Sequence, residues 1–366
     1  MTGAPAAAFA RMRYIFPVTT TTQSEPRTVR IETEAVYAAL SAGALGAVLG
    51  AVATWGTALA FWGWPSAGGF AAIVAGAVAI AAAATAYSRS GALPGQEWRR
   101  GLRSGRAVVN VVSVTIAHAA LAALATAVVY LVLGLGFVGM VLRPFEGAVL
   151  GAVSTGLAAY LVYLSASRIS TQRLSSLLLS FVALGTLTAM ATSPDPDWWR
   201  FHFSELGTFA AFSSVVFNGT LIAAGLLVTT FAAYVQSDLS ALVTTGRLTS
   251  RRSRSVVPAL LVVMGVMLAC VGIVPVNLNE PIHNLAASGM ALMFFGLLGS
   301  SPWLLRGMPR AFFLSTAAIG AAFVAAVVLF VVGFFGLTAF EIAVFALIFG
   351  WIAIFIRFLG VTGQKE

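Results

Sequence analysis

One cysteine, Cys270, stands in 366 residues, so no intramolecular disulfide can brace the fold. Charge is nearly as scarce. Only 9% of residues are charged and 59% are hydrophobic, where a soluble domain carries about a quarter charged. An ordinary soluble fold is thereby excluded. No phosphate-binding loop, G-x-S-x-G elbow or dinucleotide fingerprint occurs, so the 36 glycines read as helix-packing residues. The three histidines lack H-E-x-x-H spacing and have no cysteine beside them, so neither metal nor cofactor is expected. Lysine occurs once against twenty arginines, which with the abundant alanine points to a GC-rich bacterial gene.

What is present is apolar sequence in long runs. Mean hydropathy is +0.94, and runs of more than about 18 apolar residues, enough to cross the hydrocarbon core as helices, recur from end to end. A β-barrel would need short alternating segments, and there are none. The reading is an all-α polytopic bundle of ten spans, at about 36–62, 69–87, 107–133, 147–166, 174–192, 206–234, 256–274, 283–300, 311–335 and 339–359.

Charge placement gives the expected topology. With both termini cytoplasmic, all of the 21 basic residues except Arg143 and Arg200 fall on the inner face. Six of the twelve acids fall outside: Glu146, Asp195, Asp197, Glu205, Glu280 and Glu341. Basic residues gathered in loops follow the positive-inside rule, so the pI near 10.6 reports a membrane protein rather than a nucleic-acid binder. Trp62, Trp64, Trp198 and Trp199 fall at outer span ends, and Trp98 and Trp303 at inner ones, where an indole has one wet edge. A bacterial plasma (inner) membrane is the expected location.

Four segments are expected: a flexible tail over 1–33, three spans over 34–146, a seven-span bundle over 147–360 and a short tail over 361–366. AAAFARMRYIF within the first tail has the pattern of a small surface helix. Gly46 and Gly50 form a G-x-x-x-G pair for close helix contact. The loop SRSGALPGQEWRRGLRSGR is a topology determinant with a natural secondary contact to anionic headgroups. No acidic or basic side chain is expected near the midplane. His118, with Thr115 on the same helical face, is the nearest exception, either hydrogen-bonded between helices or in a proton-relay or substrate contact. Gly207, Ala211, Ser214, Asn218, Gly225 and Thr229 form a small and polar stripe on the sixth span, with Asn218 near mid-membrane.

Most of the remaining chemistry lies in two outer segments. SPDPDWWRFHFSELGT supplies His202-x-x-Glu205 with Ser204 between, and VPVNLNEPIHN supplies Glu280-x-x-His283 followed by Asn284. Three-residue spacing on a helix sets each His near its Glu, and both pairs belong to one face, where they could converge. Zinc binding, general acid–base chemistry and headgroup recognition all fit such residues. So does capping: Ser204 at one helix start, Pro281 and Asn284 at another, and Thr338-x-x-Glu341 at capping-box spacing.

DPDWWRFHFSELGT, FNGTLIAAGLLVTT, ACVGIVPVNLNEPIHNLAASGMALMF, GMPRAFF and LTAFEIAVFALIFGWIAIFIR together resemble actinobacterial members of domain-of-unknown-function family 998. The resemblance covers most of 35–360 and is strongest from about 147. Its S-x-L-G and F-N elements are Ser204, Leu206, Gly207, Phe217 and Asn218, and its H-N element is His283 and Asn284. More distantly, that layout is similar to eukaryotic lipid-remodelling and autophagy-modulator membrane proteins, which implies a lipid-related role and shifts weight to these residues over His202.

The expectation is a multi-pass protein recognising a lipid or envelope-precursor headgroup in an outward polar pocket. Ser204, Glu205, Asn218, His283 and Asn284 are the ligand-binding candidates, and membrane lipids are the partners. The residues lean away from an enzyme. A transporter or flippase, a membrane-embedded lipid hydrolase or transferase, and an accessory subunit remain as alternatives.

Overall fold

The computed structural model describes residues 27–63, 65–93 and 95–363. The tail before Arg27, with its surface-helix pattern and Arg11 and Arg13, lies outside the described residues, as do Trp64 and Lys365. Among the described residues, ten helices are long and apolar enough to cross a membrane. They are α1 (Arg27–Ala53), α2 (Ala67–Ser90), α3 (Ser104–Gly136), α4 (Pro144–Ser167), α5 (Thr171–Ala191), α6 (Phe212–Thr244), α7 (Ser253–Ile273), α8 (Glu280–Leu304), α9 (Arg310–Val331) and α10 (Leu337–Gly363). The strands β1 (Leu59–Ala60) and β2 (Val141–Leu142) pair antiparallel. Large apolar side chains such as Ile73, Leu161, Leu292 and Val328 stand on the outside of the bundle, as solvation by hydrocarbon requires.

All ten expected spans are present, two of them displaced. The first was expected at 36–62 but is α1, so residues 27–33 are helical rather than tail. Charge explains the shift. Glu32 pairs with Arg168 at 2.7 Å, and Glu34 with Arg30 and Arg89 at 3.2 and 3.3 Å, so polar turns that hydropathy discards are held by partners. The sixth was expected at 206–234 but runs from Phe212 to Thr244. Gly207 and Ala211 therefore precede the helix instead of lying on its stripe.

Bonds between distant loops sort the helix termini into two ends. At one, Gln96 Nε2 donates to the Ile169 carbonyl at 3.2 Å, Thr171 Oγ1 to Asp238 at 2.5 Å, and Arg247 to the Thr362 carbonyl. At the other, Leu59 pairs with Leu142, the Phe203 amide donates to Glu341, and Asn277 Nδ2 donates to the Thr208 carbonyl at 3.3 Å. The first collects most of the arginines and is called the basic end; the second is the acidic end. Both described termini lie at the basic end.

Packing follows small residues. α1 lies along α4 and α2, with α3 on α2; α6 is central, touching α3, α5 and α7, and α8 to α10 close the far side. Gly46 meets the Gly151 carbonyl and the Thr155 hydroxyl, and Gly50 meets the Gly147 carbonyl, so a Cβ at either position would overlap the α4 backbone. The expected close approach is therefore present, and Thr155 Oγ1 adds a bond to the Ala42 carbonyl at 2.9 Å. Gly225 and Gly265 repeat the device between α6 and α7. Aromatic packing holds α9 to α10, where the Phe312 ring lies 6.2 Å from both Trp351 and Phe355 and Trp351 donates to Thr316 Oγ1 at 3.1 Å.

Candidate functional site

The loop between α5 and α6 begins as turn and anchor. Asp195 accepts from the Asp197 amide at 2.8 Å, and Arg200 pairs with Asp197 at 3.1 Å. Trp198 is buried beside Phe203, with ring centroids 6.0 Å apart, while Trp199 is exposed beneath the Arg200 guanidinium. Residues of this kind suit a membrane boundary.

A 3-10 turn, Phe203–Gly207, follows and is held from four directions. The Phe203 amide donates to Glu341 Oε2 at 2.5 Å. Ser204 meets His283, with Oγ 3.0 Å from Nε2. Asn218 Nδ2 donates to the Gly207 carbonyl at 2.9 Å and Ser214 Oγ to the same oxygen at 2.8 Å. Asn277 holds the Thr208 carbonyl from the segment before α8.

The protons in the Ser204–His283 contact follow from its far side. His283 Nδ1 lies 2.8 Å from the Val274 carbonyl, which can only accept. Nδ1 therefore carries a proton, and in the neutral ring Nε2 is a lone pair to which the Ser204 hydroxyl donates. His283 is 4% exposed. A hydroxyl aimed at a carbonyl-oriented imidazole has the form of an activated nucleophile. The same form recurs inside the bundle, where His118 Nδ1 meets the Val114 carbonyl at 2.8 Å and Nε2 meets Ser165 Oγ at 2.9 Å. His118 is buried between α3 and α4, which matches the interhelical hydrogen-bonding reading.

His202 lies 3.2 Å from Glu205 through Nε2, and its Nδ1 is enclosed without a partner. Burial lowers the His202 pKa below its ordinary value, with His283 adding to the effect while Glu205 and Glu280 oppose it. The imidazole is thus neutral at pH 7; with Nε2 facing a carboxylate that can only accept, the proton sits on Nε2 and Nδ1 remains an unused acceptor.

Several sequence expectations change. Asn218 is the seventh residue of α6, about 9 Å of helix from its start, so it serves the acidic-end loop rather than mid-membrane. Ser204 caps no helix and bonds His283 instead. Asn279 is the cap of α8, accepting from the Ile282 amide at 3.1 Å; Asn284, on the next turn, lies 3.5 Å from Glu280. Glu280 therefore contacts Asn284, leaving His283 to Ser204. Thr338 and Glu341 form no capping box: Thr338 is already helical with its hydroxyl unpartnered, and Glu341 reaches across to Phe203. The structure brings Ser204, Glu205, His202 and His283 together, sets Asn218 as the clamp below them, and leaves Asn284 exposed at the rim.

Residues 176–357 match the family described as protein of unknown function DUF998. The matched half of the chain belongs to this family. No curated protein and no solved structure matches the chain. The DUF998 match is narrower than the resemblance expected from 35. It starts within α5 and ends within α10, so it holds Ser204, Glu205, Asn218, His283, Asn284 and Glu341, while His118 and α1 to α4 lie before it. Among the described residues, no group of three or more His, Cys, Asp or Glu is placed to hold a metal ion. Two cavities, of ≈410 and ≈460 Å³, open at the basic end, the first beside Asp238 and the second beside Arg99.

Proposed function

We propose that the acidic end of this multi-pass membrane protein receives the polar headgroup of a membrane lipid or an envelope precursor at the Ser204–His283 junction. The observation that carries the reading is the convergence of two segments 79 positions apart on one hydrogen bond, with the enclosed His202 Nδ1 lone pair in the same turn. An unpaired acceptor inside a polar turn is stabilised by a donor, so the matching headgroup carries a hydroxyl or ammonium hydrogen. Exposed Asn284, Glu280 and Asn277 supply polar contacts at the rim, and exposed Trp199, Phe201 and Leu285 supply an apolar border at bilayer depth.

The test uses the full chain purified in nanodiscs and native mass spectrometry of retained lipid. Wild type is expected to keep a bound lipid through partial delipidation. His202→Phe and Asn284→Ala, which spare the bonds that hold the turn, are expected to release it. Equal retention by both variants would sink the proposal.

The Ser204 geometry also supports a second reading, a lipid hydrolase or transferase in which His283 takes the serine proton. Headgroup release in proteoliposomes that survives Ser204→Ala would remove it. The Ser165–His118 pair weighs against it, since the same hydrogen bonds there serve packing.

A further inference from the structure

The connection between α2 and α3 folds over the basic end as a plug. Its 3-10 turn, Glu97–Gly101, seats Trp98 edge-on against Tyr234 with ring centroids 4.9 Å apart. Arg99 is fixed rather than free: its guanidinium lies 3.6 Å over the Tyr87 ring and donates to Ser90 Oγ at 2.8 Å and to the Tyr87 carbonyl at 2.7 Å. Beside the plug lies the cavity of ≈460 Å³, with Arg30, Arg89, Arg99 and Arg100 in its walls. Glu34 is the acid at hand, and Arg30, Arg89 and the Tyr163 hydroxyl already occupy it. Arg100 pairs with no acid among the described residues.

A second observation points into the same space. Asn110 lines this cavity, is 4% exposed, and its Nδ2, though near the Tyr87 hydroxyl, makes no hydrogen bond of good geometry. A buried amide donor is costly unless something accepts from it. Four guanidinium groups against one occupied carboxylate, with an idle donor behind them, leave a chamber that is short of acceptors and of negative charge. We infer that this cavity binds a phosphate group, carried by an anionic phospholipid or by a free phosphate compound. The planar forks of Arg match phosphate oxygens, and Arg99, held on three sides, loses little freedom on engaging one. Leu102, Ala107 and Val111 give the cavity an apolar wall for whatever the phosphate is attached to. The site is independent of the acidic-end reading and lies outside the family match.

The experiment takes the full chain into nanodiscs of phosphatidylcholine alone, or with added phosphatidylglycerol. Retained lipid is read by native mass spectrometry, and inorganic phosphate is titrated against tryptophan fluorescence, for which Trp98 beside the cavity is a reporter. Wild type is expected to retain phosphatidylglycerol over phosphatidylcholine, or to bind inorganic phosphate in phosphatidylcholine discs; the first outcome assigns a lipid source and the second a free one. Arg100→Gln, at an exposed residue, should weaken whichever binding is seen about tenfold, as loss of one charge-assisted bond does. Arg251→Gln with Arg254→Gln removes more charge from the same end, away from the cavity, and should stay within about twofold of wild type. Asn110→Ala is the second variant and should weaken binding in the same direction. Equal losses in the distant pair and in Arg100→Gln, or no anion preference in wild type, would overturn the assignment.

Discussion

Glu341, in the second turn of α10, accepts a 2.5 Å hydrogen bond from the backbone amide of Phe203, 138 residues earlier in the chain. That single contact ties the last helix to the turn that presents Ser204 to His283. Phe203 reinforces it through its ring, which lies 5.9 Å from Phe345 one turn further along α10 and 5.4 Å from Phe217 on α6.

Glu341→Leu leaves the Phe203 amide without an acceptor in a half-buried place, and is expected to cost about 1–3 kcal/mol. Glu341→Gln keeps an acceptor oxygen and should recover most of the loss. Thermal unfolding of both variants in the same detergent checks the order.

Ser204→Ala removes the donor to His283 Nε2 and leaves a buried lone pair. A loss of about 1–3 kcal/mol is expected. The same measurement on Ser165→Ala, which strips the donor from His118, should give a similar loss without altering lipid retained at the acidic end. A change in that retention would contradict the packing role assigned to His118.

His202 gives a pH signature. Burial lowers its folded pKa below the ordinary 6.5, so the unfolded chain binds the proton more readily. The stability this contributes is fully present above 6.5 and is lost as pH falls through the lowered folded value. His202→Gln is expected to flatten that part of the stability profile. An unchanged slope below 6.5 in the variant would show that another group carries it.

Gly50→Val sets a branched side chain against the Gly147 carbonyl, where there is no room. Forced separation of α1 and α4 should cost about 1–3 kcal/mol or more. Gly299→Ala, in α8 with open space around it, should leave unfolding unchanged.

Hydropathy and arginine placement made the ten helices legible because each depends on a long local pattern. The α1 and α6 boundaries were not legible for the opposite reason. Glu32 and Glu34 extend α1 because Arg89, Tyr163 and Arg168 wait on other helices or at their ends, and no local pattern records partners so far along the chain. The acidic-end site divides in the same manner. Ser204 and His283 were readable as polar residues at span ends facing one side. Their shared bond depends on how α8 meets the loop, and the Glu341 contact was hidden behind a plausible local motif. Asn218 was found by residue type and misjudged in depth, since its helix starts six residues later than the apolar run suggests.

The glycine contact between α1 and α4 sets a condition on biogenesis. α1 ends at Ala53 and its partner surface begins at Pro144, so at about 5–20 residues per second α1 resides in the bilayer for on the order of 10 s before that surface is made. During that interval the face of α1 that will meet α4 lacks its partner, and only α2 and α3 are made beside it. α1 is thus held in waiting, and its group of helices locks when α4 arrives.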